Sequence, residues 1–570
     1  MKAKRWDVRP ALPAEAAAAL RAYHPLIGLL LHNRGHSDAA AAELFFEGRL
    51  GQADDPMLLK GMASAVDRLH RAIRTQERIV VYGDYDTDGV TATALLVQVL
   101  KALGAEVEPH IPLREEDGYG LNEKAVRKLK DERLAAVVVS VDCGIRSLVE
   151  GEVAREVGID LIITDHHQPA SELPQAFAII NPKQPGDTYP EKGLAGVGLA
   201  YKLAQGLIRP MNPRPKIAGS DVLDLVALGT VADLAPLTGE NRMLVRQGLA
   251  AINKGPKRLG LKAMFTQARV KTGKADAGTI GYVLGPRLNA AGRLESALAA
   301  YDLLSTTDET TAARFAGQLE EQNRERQELT RWTQARAREV ALQRPGDGAL
   351  LFAADPDFRP GVVGLAAARL TEEFYRPAIV ATRGPEETRG SGRSIPEFHI
   401  TDALDQVAEL LVKHGGHAAA AGFTTATGNV DELANRLEAI AQAKLGEMDL
   451  RPSLRIDADE VPLNQLSREL MEMLERFQPC GYDNPAPVLA SRGLKVLNYR
   501  TVGADSKHLK LTVTDGWVNH DAIAFGQGHW QGQLPPVIDM AYALEWNDWN
   551  NDRKLQLNVK SIQASGTEIG

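Results

Sequence analysis

A chain of 570 residues is too long for one hydrophobic core and implies three or four domains. With 44% hydrophobic and 25% charged residues it has the composition of a soluble globular protein, and a net charge of −8 gives no sign of nucleic-acid binding, so any such site needs a local basic surface. Its two cysteines, Cys143 and Cys480, argue against a disulfide framework and fit a reducing cytosol, no apolar stretch is long enough for a membrane span, and no apolar signal region follows the basic residues of Met1 to Trp6.

Residues 1 to about 75 read as helical, with apolar residues at helical spacing over Ala14 to Tyr23 and Leu58 to Ile73. No chemistry is visible there. Ile79 to Tyr82 then reads as a short buried strand. It ends in Gly83 and three aspartates at alternate positions, Asp84, Asp86 and Asp88, before a helix over Val90 to Leu100. Two alternating carboxylates share a face, and a turn at Gly89 gathers the third. Carboxylates this close repel, and burying them unpaired is costly. A divalent cation removes both problems, and hard oxygen ligands suit magnesium or manganese. Two aspartates alone would read as a solvated acidic turn; three straight after a buried strand favour a metal site.

Up to about Pro182 strands and helices alternate, which predicts an α/β domain with a mostly parallel sheet. Val107 to Ile111 is a strand that Pro109 demotes to an edge. Asn122 to Leu129 is a helix. Ala136 to Val141 is a strand ending in Asp142-Cys143-Gly144, Leu148 to Val157 a helix, and Leu161 to Thr164 a strand ending in Asp165-His166-His167. Three strands that end in metal-ligand types place those groups along one sheet edge, where α/β sheets bind ligands. The apolar run Leu223 to Val231 reads equally as helix or strand and leads into Asp233. Alone that residue is a helix-end or turn aspartate; beside the other three segments it is the closing ligand.

Residues 254 to 293 hold nine Lys or Arg against one acid, Asp276. The scattered lysines read as solvated surface. In Gly285 to Arg293, however, Arg287, Asn289 and Arg293 are donors set among small residues, and the arginine fork matches phosphate oxygens. Thr306 to Arg344 reads as one long helix, stopped by Pro345-Gly346 and polar through its middle, as helices that bridge domains often are. Residues 347 to about 450 form a second α/β unit with strands at Ala349 to Ala353 and Ala378 to Thr382 and a helix over Gly361 to Leu370. Two glycine-rich stretches, Gly390 to Ser394 and Gly415 to Gly422, carry Ser391, Arg393 and His417. They read either as close backbone approach to a ligand or as a tight turn and close helix packing. Residues 451 to 570 show five short alternating strands, which suits a small barrel such as an OB-fold. Of its tryptophans, Trp517, Trp530, Trp546 and Trp549, exposed ones could stack bases; core or turn positions are expected for at least half.

Gly83 to Gly89, Val141 to Gly144, Asp165 to His167 and Thr230 to Asp233 resemble the successive motifs of the DHH phosphoesterases. Gly285 to Arg293, Ser391 to Ser394 and Gly415 to Gly422 resemble later motifs of that family's single-strand-specific DNA exonucleases, and the likeness covers nearly the whole chain. It implies an N-terminal helical segment (1–75), a DHH catalytic domain (76–304), a connecting helix (305–345), a DHH-associated domain (346–450) and an OB-fold (451–570). The implied activity is two-metal hydrolysis of single-stranded DNA from the 5′ end, releasing 5′-mononucleotides, in DNA repair and recombination.

Carried over by motif, Asp84, Asp86, Asp88, Asp142, His166 and Asp233 would hold two divalent cations, manganese preferred and magnesium the alternative, with Asp142 bridging. Asp165 would orient the histidines and His167 face the scissile phosphate. Arg114, Ser391 and Arg393 would recognise the 5′-terminal phosphate, Tyr119 would stack on or block a base, and His417 would add a polar contact. Arg287, Asn289 and Arg293 would line a channel too narrow for duplex, between the two α/β domains. Cys143 is a packing residue or a thiolate ligand, packing being favoured. The resemblance also implies a single-strand-binding protein and a RecQ-type helicase as partners, a cytoplasmic location and no membrane. Two other readings stay open. A DHH phosphodiesterase of short oligonucleotides or cyclic dinucleotides would leave the basic segment, long helix and barrel surplus. A non-catalytic DNA-binding replication scaffold sits poorly with motif acids and histidines that are all intact.

Overall fold

The computed structural model describes residues 4–48, 54–112, 120–209, 211, 215–294, 296–344, 346, 348–549 and 552–566. The chain divides into two compact units: Glu43–Arg324 with Phe477–Pro485, and Met1–Ala42 with Glu325–Arg476 and Ala486–Gly570.

Strand β1 (Arg5–Val8) falls in the second unit. The first unit is built on β2 (Ile79–Tyr82), β3 (Val107–His110), β4 (Val137–Val141), β5 (Asp160–Thr164) and β6 (Ala178–Ile180). All pair in parallel, in the order β3-β2-β4-β5-β6. Every residue of β2 and β4 is buried, as their valine-rich runs require of strands covered on both faces. Pro109 sits on the edge strand β3, where its missing N–H breaks no ladder. From β2 the chain crosses to β3 on one side and then to β4 on the other. The reversal opens a crevice at the carboxyl ends of β2 and β4, the place where such sheets bind ligands.

The helix Thr87–Ala102 is buried along most of its length and is accordingly apolar nearly all round. The ambiguous run 223–231 is a helix, Leu223–Ala232, packed with the Thr87 helix and with Gly196–Ile208 in the main core. A π-helical turn, Ile280–Leu284, leads into the helix Gly285–Leu294. Buried Arg242 donates to the carbonyls of Phe45 (2.6 Å) and Gln478 (3.0 Å), which ties the short segment Phe477–Pro485 to this unit.

In the second unit, β7 (Leu351–Asp355), β8 (Ala378–Arg383), β9 (Glu387–Arg393), β10 (Leu411–His417) and β11 (Ala420–Ala426) form a mixed sheet, ordered β10-β11-β9-β8-β7. Both glycine-rich stretches are strand: Ser391 lies in β9, and Gly415 pairs with Gly422 across the β10–β11 hairpin. The second stretch also holds the tight hairpin turn, at Ala418-Ala419, and the glycines of β9 let a ring of the sheet and the helix Ile400–Asp405 pack closely on it. A Cβ at Gly390 would lie 2.3 Å from the Phe423 ring, and one at Gly392 would lie 2.4 Å from Ile400. The long helix runs from Glu309 to Gln343.

Strand β12 (Ser453–Ile456) pairs in parallel with β1, an element missed in the sequence because four alternating residues are too few to stand out beside the helical spacing that follows. Trp6 packs on Ile456, Ala490 and Ala541 and donates to Ser561 Oγ at 3.0 Å. The chain then closes a five-stranded barrel of β13 (Leu489–Val502), β14 (His508–Thr514), β15 (Asn519–Ala524), β16 (Val537–Trp549) and β17 (Asp552–Ala564), ordered β13-β14-β15-β17-β16. Trp517 stands 86% exposed between β14 and β15, and Trp530 is half-buried. Trp546 lies under Arg468 and Arg553. The Trp549 side chain lies outside the described residues.

Candidate metal centre

The carboxyl ends of the adjacent strands β2, β4 and β5 deliver Asp84, Asp142 and Asp165 to one edge. After β2, Asp86 caps the Thr87 helix, its Oδ1 accepting the Gly89 N–H at 3.0 Å. Thr87 donates both its N–H and its hydroxyl to Asn289 Oδ1, each at 2.8 Å, and so seats the Gly285 helix on the acidic loop. Gly292 is needed there, since a Cβ would lie 2.4 Å from the Tyr85 carbonyl.

Asp88 lies at the start of the Gly196 helix. Its two oxygens accept the N–H groups of Gly196 (2.7 Å) and Val197 (2.8 Å), where a helix end carries partial positive charge. Asp142 has left-handed backbone, φ 62°, a strained position for a residue with a Cβ. Gly196 makes room for it: a Cβ there would lie 2.6 Å from both Cβ and Oδ1 of Asp142.

Asp165 does not enter the ligand groups but holds its surroundings. Oδ2 accepts the Ile145 N–H at 2.9 Å, and Oδ1 accepts the His167 N–H at 3.0 Å and meets His167 Nδ1 at 2.7 Å. Behind the histidines, Asn181 Nδ2 donates to the His167 carbonyl (3.0 Å) and Lys183 Nζ to the His166 carbonyl (2.5 Å).

Three donor sets result: Asp84, Asp86 and Asp142; Asp88, His166 and Asp233; and Asp142, His166 and His167, the donor atoms of each set lying within 4.8 Å of one another. His166 Nε2 is 3.1 Å from Asp142 Oδ1 and 3.8 Å from Asp233 Oδ2. Asp84, Asp88 and Asp142 are each 2% exposed or less.

Burial and mutual repulsion govern the charges. Burial, then the Asp86 carboxylate, pushes Asp88 up to about 7. Burial, then Asp88 and Asp86, pushes Asp233 up to about 9, against the pull of Lys183. Asp142 is raised well above the carboxylate range by burial and four neighbouring aspartates. Burial and the charge of His167 bring His166 down to about 3, so its imidazole is neutral. Burial depresses His167, but the hydrogen bond and charge of Asp165 outweigh it and raise that imidazole. Burial and the nearby aspartates raise Cys143 well above the thiol range, which leaves it a packed thiol in the core beneath β2 and β5.

These residues fit divalent cations. Asp142 Oδ1 and His166 Nε2 are buried and have no hydrogen-bond partner among the described residues. A neutral imidazole and a set of carboxylates whose repulsion a cation would cancel match oxygen-preferring ions.

The phosphate-directed candidates divide between the two units. Arg287 sends Nε to Glu320 Oε2 at 2.6 Å and Nη1 to the Val283 carbonyl at 2.6 Å, so its fork is shared with an acid of the long helix. Arg293 is half-buried on the Gly285 helix. Ser391 and Arg393 share one face of β9, with Arg393 Nη1 donating to Ser391 Oγ at 2.9 Å. Gly364 leaves space beside them, since a Cβ there would lie 2.9 Å from Arg393 Nη2. His417 is exposed at the end of β10. Arg114 and Tyr119 lie outside the described residues. Sequence reasoning missed Asn181, Lys183 and the N–H groups of Gly196 and Val197. The Gly-x-Gly that starts a helix at Gly196 was the visible signal for the last pair; a backbone-held Asn-Pro-Lys has none.

The DHH family, N-terminal domain, matches residues 78–230, the DHHA1 domain 347–443 and the RecJ OB domain 456–561. The single-stranded-DNA-specific exonuclease RecJ of Bacillus subtilis is 37% identical over 99% of this chain and 71% of its own. The chain belongs to the RecJ family. RecJ of Escherichia coli is 35% identical, covering 99% of this chain and 98% of its own. The crystal structure of RecJ from Thermus thermophilus in complex with Mn2+ superposes with a TM-score of 0.84 at 30% identity, over 99% of this chain and 80% of that one. The same protein in complex with Mg2+ gives a TM-score of 0.78 at 29% identity, over 99% and 79%. RecJ architecture is thus present from the parallel sheet to the closed barrel. No described helix is long and apolar enough to cross a membrane.

Proposed function

We infer that the chain is a metal-dependent, single-strand-specific DNA exonuclease that removes 5′-mononucleotides successively from the 5′ end, in DNA repair and recombination. One observation carries this reading beyond the family likeness: Asp142 from a strand end, Asp88 from the first turn of the Thr87 helix and Asp233 from a helix end meet around one neutral histidine, His166, and Asp142 also meets Asp84 and Asp86.

Asp84, Asp86, Asp88, Asp142, His166 and Asp233 are proposed to hold two divalent cations, with Asp142 shared. When bound, such a pair supplies Lewis-acid stabilisation of phosphoryl oxygens and a readily deprotonated water. The rest falls to the chain. Asp165 binds His167 through Nδ1, so Nε2 is the nitrogen assigned to the scissile phosphate, and the hydrogen bond and charge of Asp165 favour the protonated ring where phosphorane charge grows. Water adds to phosphorus, the P–O3′ bond breaks, and the released nucleotide keeps its 5′-phosphate and gains a 3′-hydroxyl. Ser391 and Arg393, already joined on β9, are proposed with Arg114 to recognise the 5′-terminal phosphate, and His417 to add a polar contact. Arg287, Arg293 and the amide nitrogen of Asn289 are proposed as strand contacts, and Tyr119 as the residue against the terminal base. The barrel is proposed to hold the trailing strand, Trp517 being the most exposed aromatic among its described residues, with affinity that falls as salt rises.

Manganese is proposed ahead of magnesium because an imidazole joins the oxygen donors. A single-strand-binding protein and a RecQ-type helicase are proposed as partners, since each presents the single strand this reaction consumes. A cytoplasmic location is proposed on two cysteines that form no disulfide. The test is an assay of 5′-labelled single strands with manganese, alongside Asp142→Ala. Mononucleotide release by the parent and none by the variant is expected; equal activity refutes the metal assignment. Rate against oligonucleotide length separates this reading from a small-substrate phosphodiesterase, which would not act on long strands.

A further inference from the structure

The loop after β6 grips the histidine pair from behind. Asn181 is fully buried, gives Nδ2 to the His167 carbonyl and takes the Lys183 N–H on Oδ1 at 2.8 Å. That turn aims the Lys183 side chain along the carboxyl edge of the sheet, where Nζ donates to the His166 carbonyl. An ammonium has three N–H donors, and one is spent there.

Lys183 is exposed, yet no carboxylate lies within ion-pairing distance of its Nζ among the described residues. This is unusual company for an unpaired lysine, since a cluster of aspartates lies on the same edge and its charge is felt at Asp233 and Asp165. A carbonyl contact from the side therefore fixes the ammonium beside the metal ligands without neutralising it. Two further N–H donors of the ammonium remain for an anion. The arrangement suits a compact, strongly hydrated cation that acts on phosphate as a point charge.

We propose that Lys183 is a phosphate-contacting residue of the exonuclease reaction: anchored on the His166 carbonyl, it directs its other N–H donors to a phosphate of the bound strand at the metal centre. The proposal rests on the functional reading above. It predicts that Lys183 contributes to strand capture, while the metal ligands do not need its charge to bind their ions.

The test uses the full chain with Lys183→Met, close to isosteric and neutral, and Lys183→Arg, which keeps a charged donor. Two quantities are read. One is the dependence of kcat/KM on salt for a 5′-phosphorylated oligothymidylate with manganese; the other is Mn2+ affinity without DNA, by electron paramagnetic resonance. A lost phosphate contact makes the log–log salt slope shallower by about 0.7 for a single strand. Lys183→Met is expected to show that change, with kcat/KM about tenfold lower at low salt, a parental thermal midpoint and parental Mn2+ affinity; Lys183→Arg is expected to keep the parental slope. A parental slope in Lys183→Met overturns the proposal, with or without a fall in Mn2+ affinity, because the lysine would then only position His166. A parent that leaves the oligonucleotide intact overturns the functional reading itself.

Discussion

His166 Nε2 and Asp142 Oδ1 lie 3.1 Å apart, both buried, and make no hydrogen bond with each other or with any other described residue. Once the carboxyl is deprotonated and Nε2 presents its lone pair, two acceptors at that separation are mutually unfavourable, and each needs a positive partner. A shared cation is the arrangement that satisfies both.

Metal uptake is therefore coupled to protons. In the metal-free protein Asp88 titrates near about 7 and Asp233 near about 9, each raised by burial and by neighbouring carboxylates. A raised carboxyl holds its proton below that pH, and a cation binds the deprotonated form. Mn2+ affinity is expected to rise steadily from pH 6 to about 9, with protons released on binding. Calorimetry in buffers of differing ionisation enthalpy reads both; affinity independent of pH would contradict the raised values.

Gly196→Ala separates the site from the fold. The added Cβ meets Asp142 at 2.6 Å, and Asp142 is already held at positive φ. The substitution is expected to cost about 1–3 kcal/mol of stability through overpacking and to weaken Mn2+ binding far more than the neighbouring Gly198→Ala, whose Cβ meets only Leu194, nearest at 3.4 Å. Thermal midpoints and Mn2+ titration of the two variants make the comparison.

Asp165→Asn tests positioning. The Asp165 carboxyl is raised by burial, but the hydrogen bonds and charge of His167 and a backbone N–H from Ile145 more than reverse this and leave it below the usual range. Its stabilising contribution is thus fully present above the ordinary aspartate pKa of about 3.9 and is lost as pH falls through the lower folded value. The asparagine is expected to lower activity roughly 10–100-fold, as loss of an outer partner of a metal-site histidine does. It should also flatten the acid limb of the stability profile, measured by denaturant melts from pH 3 to 7.

Asn289→Ala removes the acceptor shared by the Thr87 N–H and hydroxyl. A loss of about 1–2 kcal/mol in stability is expected, together with a lower kcat, as the acidic loop loosens. Asn289→Asp restores the acceptor, and its stability should return toward the parent while any contact made by the amide nitrogen stays lost. Melting and steady-state kinetics of both variants separate the two roles of this residue.

Much of the catalytic sheet was legible because its strands are uninterrupted apolar runs, each followed by chemistry: Val80-Val81 before Asp84, Val137-Val138-Val139 before Asp142, Ile162-Ile163 before Asp165. Period decided less where both faces are buried, so Leu223–Ala232 stayed ambiguous until the packing showed a helix. The glycine stretches stayed open because glycine suits a turn, a close approach or a strand crowded by a ring; Phe423 over Gly390 accounts for the first, and the second holds both strand and hairpin turn. The supports of the site were out of reach for a different reason. The N–H groups of Gly196 and Val197, the Asn181 clamp and the Thr87–Asn289 lock join positions about 14 to 200 residues apart through backbone atoms or ordinary amides.

The most direct measurement is anomalous scattering from crystals of this protein soaked in manganese. Two peaks are predicted among Asp84, Asp86, Asp88, Asp142, His166 and Asp233, with Asp142 touching both. Peaks elsewhere, or none among these side chains, would contradict the metal centre and the nuclease mechanism built on it.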